Sequence, residues 1–398
     1  MTVAPAPREG RRVRAPAVRA RGEARVSPLE LFFDLVFVFA LTQVTAFMAA
    51  DPTFGGLARG MLILTLMWWA WSAFTWLTST VDPEQALTRL VMFAAMGAFL
   101  VMALATPGAF TDDGVLWGCA YLAARLVHVA LYALAARGDA ALARVVWNLV
   151  RSLIPGSGLI ILGAVAFEGT TRDLLWVAAV VLDYGIVLGA GVAGWHVHAA
   201  HFAERFGLIL IIAMGESIVA VGVGLEEVAL GAPEIVAAVL ALAITCLVWW
   251  AYFDVPALDA EHRFTSAVGI AQLRIARDAY ALLHLPMTAG IVLFALGVKK
   301  VLEHTGDPMK AMPAVALCGG LALYTLAHVA FRLRLTGSVG VARVVASLAC
   351  LAVIPVALEL SGLAALVLLL AIGILHIAYE TRSERDYRTA VRAPHGAG

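Results

Sequence analysis

The sequence predicts an all-α polytopic membrane protein with about twelve transmembrane helices, arranged as two parallel six-helix repeats. Three observations lead to this prediction. Hydrophobic residues make up 62% of the 398-residue chain and charged residues only 14%, against roughly 25% charged residues in soluble domains. Apolar runs of about 20 residues, long enough to cross a bilayer, follow one another along the chain. Motifs of the first half recur in the same order in the second half.

The apolar runs define the domain organisation. Bounded by charges, glycine or proline, they cover residues 27–49, 57–80, 86–106, 115–136, 146–167, 173–194, 204–224, 233–253, 275–298, 312–333, 341–359 and 363–380. We divide the chain into a basic cytoplasmic tail, two six-helix halves and a cytoplasmic C-terminal tail, at residues 1–26, 27–196, 197–380 and 381–398. The N-terminal tail holds too few apolar residues to form a core and is predicted to be disordered.

The loop charges predict the orientation. Arginines such as Arg89, Arg137 and Arg274 lie in alternate loops, whereas acidic residues such as Asp112 and Glu226 lie in the others. Because positive loops stay inside, both termini are predicted to be cytoplasmic and the lipid bilayer is the expected partner. The formal net charge is zero, which gives no indication of nucleic-acid binding. All four cysteines fall inside apolar spans, as expected for small core residues rather than a disulfide framework.

Four sequence matches define the internal repeat, each displaced by six spans. They pair Glu30 with Glu204, Trp68–Trp71 with Trp249–Tyr252, His128 with His328, and Ala143–Val146 with Ala342–Val345. Parallel halves are one known construction of transporters, in which the substrate site lies near the midplane between the halves. On this alignment Asp34 falls opposite Leu208 and Glu216 falls opposite Thr42, so the halves carry their deep acids at different depths.

Ionisable residues inside the spans are the candidate functional residues, because a charge within a membrane is costly. Asp34 lies one to two turns inside the first span, and Glu216 lies near the middle of the seventh. Arg125 in the fourth span requires an acidic partner, for which Asp183, Glu216 and Asp34 are the candidates. The predicted substrate- or ion-binding residues are Asp34, Arg125, His128, Asp183, Glu216, Ser217, His284 and His328, and the predicted interfacial residues are Glu30, Glu204 and Arg205.

The same residues also fit purely structural roles. Asp34 is also suited to capping a neighbouring helix, Glu216 to a protonated contact in helix packing, and an Arg125–Asp183 bridge to a purely structural link. The histidines at 196, 198 and 201, followed by Glu204, have part of the spacing of a metal site but lie in an interfacial loop without cysteine. Solvated histidines are favoured there, and no metal, cofactor or catalytic residue is predicted, since no nucleophile elbow or phosphate loop occurs.

Three segments resemble the bacterial low temperature requirement protein A family. They are Glu30–Ala40, Glu204–Ala220 and Tyr280–Ile291. The resemblance extends over essentially the whole membrane portion and implies a multi-spanning protein of the bacterial inner membrane, linked by the family name to growth in the cold. It implies no biochemical activity. The family's motifs map onto Glu30 and Asp34 in the first span and onto Glu204, Arg205, Gly215, Glu216 and Ser217 in the seventh, with Met214 where leucine is expected.

Two classes of function fit these observations. The first is a secondary transporter or ion pathway for an unidentified small solute or ion, coupled to protons or a small cation. Glu216 or Asp34 would be the coupling carboxylate, and Arg125 with Asp183 a switching ion pair. The second class is a non-transporting membrane sensor or scaffold, or an intramembrane enzyme acting on lipids. A cavity between the halves favours the first class, and a lateral cavity open to lipid favours the second.

Overall fold

The computed structural model describes residues 25–226 and 228–392, which fold into a bundle of long helices without β-strands. The predicted basic tail therefore lies almost entirely outside the described residues. The first half contains α1 (Pro28–Ala50), α2 (Phe54–Thr80), α3 (Ala86–Ala105), α4 (Gly114–Ala135), α5 (Ala140–Ala166) and α6 (Gly169–Gly189). The next three helices are α7 (Ala199–Gly224), α8 (Ala232–Phe253) and the short α9 (Pro256–Ser266).

Two of the remaining long helices contain π-helical turns. The rest of the chain forms α10 (Gly269–Ile275), a π-helical segment (Ala276–Leu282), α11 (His284–Glu303), α12 (Ala311–Ala314), a second π-helical segment (Val315–Gly319), α13 (Gly320–Thr336), α14 (Val341–Glu359), α15 (Gly362–Ser383) and α16 (Arg385–Arg392). The predicted C-terminal tail thus includes the end of α15 and all of α16. Arg388 and Arg392 of α16 form ion pairs with Asp254 at the end of α8.

Eleven helical stretches of the described chain are long and apolar enough to cross a membrane. Each predicted span coincides with a helix, but α6 is not among the eleven because it carries Arg172, Asp173 and Asp183 within 21 residues. The structure therefore supports a polytopic all-α membrane protein with eleven candidate spans, one fewer than about twelve. α9 was not predicted, since its charged sequence does not have the apolar character of a span.

Capping explains where two of the helices begin. In α1, Ser27 and Glu30 form a capping box: the Ser27 N–H donates to the Glu30 carboxylate at 2.9 Å, and Pro28 occupies the first turn. In α5, the Asp139 carboxylate accepts hydrogen bonds from two backbone N–H groups of the first turn, which lower the pKa of that carboxyl. Because of this cap, α5 begins at Ala140, six residues before the predicted span. The sequence alone does not distinguish a capping Asp139 from an ordinary loop residue.

Helix α11 forms the centre of the second half and packs on α7, α13 and α1. Its glycines allow close helix approach. A Cβ atom added at Gly290 would lie 2.6 Å from the Gly320 carbonyl oxygen and 2.7 Å from the Tyr324 nitrogen, which is closer than atoms can pack. Membrane helices associate through such small residues, since lipid provides no hydrophobic driving force between them.

We expect Gly290→Ala to lower the thermal unfolding temperature of the detergent-purified protein. Overpacking of a tight helix contact costs about 1–3 kcal/mol, more than the roughly 1 kcal/mol that alanine gains in helix propensity. The matched control is Gly97→Ala in α3, where an added Cβ meets no atom within 4 Å. Unfolding temperatures that shift equally in both variants would contradict a packing role for Gly290.

Candidate functional site

A cluster of buried charges joins α1 and α7 near the ends at which both helices begin. We call it the Arg205 cluster and define it as Glu30, Asp34, Thr78, His201 and Arg205. The Arg205 guanidinium donates to Glu30 and Thr78, each at 3.2 Å, and to Asp34. His201 Nε2 lies 2.9 Å from the Glu30 carboxylate. One guanidinium therefore binds two carboxylates from the first helix.

The Arg205 cluster is enclosed by protein. Glu30, Asp34 and Arg205 each have 0% exposed surface. The indole of Trp71 on α2 donates to Asp34 Oδ1 at 2.8 Å and lies under the Arg205 guanidinium. Glu30 and Arg205 thus occupy the ends of helices, where they were predicted, but they face protein instead of the membrane interface. Glu204, by contrast, is exposed, and its carboxylate accepts a hydrogen bond of 3.1 Å from the Val26 backbone N–H.

A second arginine, Arg125, binds Asp183 across α4 and α6. Its two terminal nitrogens donate to the two carboxylate oxygens at 3.0 Å each, and one of them also contacts Ser152 of α5 at 3.2 Å. Tyr121 donates to Asp183 at 2.7 Å. Arg125 and Asp183 are 0% and 1% exposed. Of the three candidate acids, the structure therefore selects Asp183, and every carboxylate oxygen of the pair is hydrogen-bonded.

Glu216 has a different environment. It is 2% exposed, and its carboxylate accepts a hydrogen bond of 2.7 Å from the Thr42 hydroxyl of α1. No arginine or lysine of residues 25–226 and 228–392 lies within ion-pair distance of it. Ser217 beside it is also buried, and its hydroxyl has no hydrogen-bond partner in the described chain. Since α1 rises 1.5 Å per residue, Thr42 and Asp34 are separated by about 12 Å along the helix.

The second half contains an arginine pair that sequence reasoning missed. Arg343 of α14 donates to the Glu380 carboxylate of α15 at 2.8 and 3.0 Å and to His328 Nδ1 of α13. The only available signal was the repeated motif Ala342–Val345, but its counterpart Arg144 is exposed. Arg343 is therefore a third buried arginine with an acidic partner, besides Arg125 and Arg205.

The predicted histidines are distributed over different contacts. His284 is the first residue of α11, with Nε2 2.9 Å from the Tyr252 hydroxyl and Nδ1 3.0 Å from the Ala279 carbonyl oxygen. The His128 ring packs edge-on against Phe74 and Tyr132. Within the described residues, no three His, Cys, Asp or Glu side chains are grouped so as to hold a metal ion.

The four principal candidates do not form one site. Asp34 belongs to the Arg205 cluster, Arg125 and Asp183 form their own pair, and Glu216 stands apart. Helix α2 lies next to both arginines, because the Arg125 guanidinium contacts Trp69 at 6.0 Å and that of Arg205 contacts Trp71 at 5.6 Å. With the Arg343–Glu380 pair, the described residues thus contain three buried arginine-paired sites and one buried acid, Glu216, without an arginine or lysine at ion-pair distance.

The helices and buried charges define a multi-pass membrane protein with polar groups inside the bundle. The sequence model of the bacterial low temperature requirement A protein (LtrA) family matches residues 25–378, and the chain belongs to this family. The match confirms the resemblance seen in its motifs. An uncharacterized protein of Rhizobium meliloti is 32% identical over 322 residues, which cover 76% of each of the two chains. No solved structure matches the chain.

We expect Arg205→Gln to lower the thermal unfolding temperature strongly, because it leaves Glu30 and Asp34 buried without a cation. Removing one partner of a buried ion pair typically costs about 3–5 kcal/mol. Adding Asp34→Asn to the Arg205→Gln variant should recover part of this loss, since one unpaired charge is removed. The matched control is the exposed Arg151→Gln, which should unfold as the parent does.

The two variants and their combination form a double-mutant cycle, measured by thermal unfolding in detergent. Additive effects of Arg205→Gln and Asp34→Asn would contradict a direct ion pair between these side chains.

Proposed function

We propose that the protein is a secondary transporter or ion pathway coupled to protons or a small cation, with Glu216 as the coupling carboxylate. One observation carries the proposal. The other buried carboxylates of the described chain, Glu30, Asp34, Asp183 and Glu380, each bind an arginine, whereas Glu216 accepts a hydrogen bond from a threonine hydroxyl and has no arginine or lysine at ion-pair distance. A bare charge is unfavourable in such an apolar environment, so the Glu216 carboxyl is suited to hold a proton or bind a small cation.

The contact between α1 and α7 offers two sites at different depths. Asp34 and Glu216 lie on these two helices, and about 12 Å of α1 separates Asp34 from the Glu216 partner Thr42. Asp34 is bound to Arg205 in this conformation, so in our proposal it exchanges protons only when that pair opens. The Arg125–Asp183 pair is the second ion pair that opens and closes in our proposal, because both of its members are buried and Arg125 lines a cavity that Arg277 and Leu282 of the second half also line.

Helix packing supports the proposed arrangement as two parallel six-helix halves. The first half packs α1 on α3, α3 on α4, α4 on α5 and α5 on α6, and the second half packs α7 on α11, α11 on α13, α13 on α14 and α14 on α15. Thr42 and Glu216, which the repeat aligns, contact each other between the halves. In each half an arginine, Arg125 or Arg343, links the last three helices.

We include α6 as the twelfth span. Asp183 is neutralised by Arg125, Asp173 is bound by Arg59 at 2.9 Å, and Arg172 donates to backbone carbonyls at the end of α5, so each charged group of α6 is hydrogen-bonded within the protein. Twelve spans place both termini on the same side, and the arginine-rich loops make this the cytoplasmic side of the inner membrane.

A C-terminal fusion tests this topology. With green fluorescent protein at the C-terminus we expect fluorescent cells, because this protein folds to its fluorescent form in the cytoplasm. An alkaline phosphatase fusion at the same position should be inactive. A second pair of fusions in the loop after α6, at Gly191, should give the same result. Active phosphatase at the C-terminus would overturn the even span count.

Proton flux tests the role of Glu216. The full-length protein in liposomes, under an imposed pH gradient, should dissipate the gradient faster than protein-free liposomes, as read from an entrapped pH-sensitive dye. Glu216→Gln should reduce the rate to that of protein-free liposomes, because the amide neither binds nor releases a proton. Asp34→Asn should also slow it. Sodium and potassium gradients applied in parallel distinguish protons from small cations.

The control variant is Glu168→Gln, which changes an exposed acid in the loop before α6 and should leave the flux unchanged. Size-exclusion profiles establish that the variants are folded. Fluxes of Glu216→Gln and Asp34→Asn that equal the parent flux would remove these residues from any coupling role.

A further inference from the structure

A cavity of about 580 Å³ lies against the first half of α7. Its other walls are the end of α8, the short helix α9 and Tyr280 of the π-helical segment, and it is partly open to its surroundings. We call it the Tyr280 cavity. Its volume lies within the roughly 300–1,000 Å³ of pockets that bind small molecules.

Small residues on α7 make room for the Tyr280 cavity. Ala203, Gly207 and Ile211 follow one another at intervals of four residues, so they share the face of α7 that lines the cavity. A Cβ atom added at Gly207 would lie 3.5 Å from the Phe253 ring of α8. Larger side chains at positions 203 and 207 would therefore fill the space between α7 and α8.

The hydroxyl group of Tyr280 lies at the wall of this cavity without a partner. Tyr280 is 1% exposed, and its ring stacks on His284 with ring centroids 5.2 Å apart. The hydroxyl makes no hydrogen bond within the described part of the chain, and it is not one of the fully enclosed atoms. Since buried hydroxyl groups are almost always hydrogen-bonded, this group indicates a ligand that reaches it from the cavity.

The charges of the lining favour a cation. Glu204 and Glu261 line the cavity, against one cationic lining residue of the described chain, Arg25. Glu261 is partly buried, and its carboxylate forms no ion pair within residues 25–226 and 228–392. The Glu204 carboxylate accepts only the Val26 N–H in the described chain, which leaves lone pairs for another donor. An ammonium group supplies three N–H donors to such acceptors.

The remaining walls favour an organic ion over a metal ion. Leu208, Ile211 and Leu258 are apolar lining residues, and the Phe253 ring is held by stacking on Trp249 with centroids 5.3 Å apart. These side chains offer apolar contact area to the body of a ligand. A metal ion would require a further ligand, and no group of three His, Cys, Asp or Glu side chains of the described chain provides one.

We propose that the Tyr280 cavity binds an organic ammonium ion with an apolar body. Its ammonium group donates to the carboxylates of Glu204 and Glu261 and to the hydroxyl oxygen of Tyr280, and its body lies against the apolar walls. A soluble amine and the ammonium headgroup of a membrane lipid share this chemistry. The proposal goes beyond the proposed function, because binding at this cavity requires no proton movement through Glu216.

Calorimetric titration of the full-length protein with benzylamine tests the proposal. Micelles of an uncharged maltoside detergent at neutral pH provide no competing charge. Benzylamine should bind saturably. Benzyl alcohol, which has the same ring without the charge, and benzoate, which has the opposite charge, should each bind at least about tenfold more weakly. Absence of saturable benzylamine binding, or equal affinity for benzyl alcohol, would overturn the proposal.

Substitutions locate the binding site. Tyr280→Phe keeps the ring but removes the hydroxyl, and Glu261→Gln removes a charge at nearly constant volume, so each should weaken benzylamine binding about tenfold. The matched controls are Tyr379→Phe, at a residue that is 61% exposed on α15, and Glu168→Gln, since neither side chain lines the cavity. Unchanged benzylamine affinity in both cavity variants, with elution as in the parent, would overturn the proposal.

A competition experiment distinguishes the two sources of the ammonium group. The titration is repeated with phosphatidylethanolamine added to the micelles. A lower apparent affinity for benzylamine assigns the cavity to the lipid headgroup, and an unchanged affinity assigns it to a soluble amine.

Two variants separate this proposal from the proposed function. Glu216→Gln should bind benzylamine with the parent affinity even though its proton flux is lost. Glu261→Gln should retain the parent proton flux in liposomes. Loss of benzylamine binding in a folded Glu216→Gln protein would contradict an independent site at the Tyr280 cavity.

Discussion

The structure depends on one constraint: a buried charge inside the bundle requires an opposite charge on a neighbouring helix. Three arginines meet it. Arg205 binds the acids of α1 from α7, Arg125 binds Asp183 between α4 and α6, and Arg343 binds Glu380 between α14 and α15. Separating such a pair leaves an uncompensated charge in a low-dielectric interior. Each pair therefore fixes the axial position and the rotation of its two helices relative to each other.

The exception to this pairing indicates where function resides. Glu216 is buried with a hydroxyl partner, and no arginine or lysine of the described chain lies at ion-pair distance from it. Its contact with Thr42 joins α7 to α1. A buried polar group without a partner lowers the stability of the fold. Such a group is expected where a bound ligand or a proton supplies the missing partner.

The π-helical segment Ala276–Leu282 belongs to the same junction. Its irregular backbone frees carbonyl groups, of which Ala281 accepts a hydrogen bond of 2.8 Å from the Trp68 indole of α2. The segment thereby attaches the second half to the first, and it lines a cavity that Arg125 also lines. Single π-helical turns inside long helices are often found at functional sites, since the distortion re-aims side chains.

Sequence reasoning identified the deep residues Asp34, Arg125, Asp183 and Glu216 because charge within an apolar run is conspicuous. It also supplied Asp183 as a candidate partner of Arg125. It missed the role of Arg205 and the Arg343–Glu380 pair, because these charges lie toward helix ends, where a solvated residue and a residue facing protein have the same sequence environment. Only the packing of α7 on α1 and of α14 on α15 shows which way these side chains point.

The sequence by itself determined that the chain is a helical membrane protein and which apolar runs form its helices, because helix length and hydropathy are local properties that a bilayer makes decisive. Motifs also identified the family. The tertiary structure decided the partner of each buried charge and left Glu216 with a hydroxyl group instead of an arginine. These features depend on distances between helices far apart in the chain, which no local pattern contains.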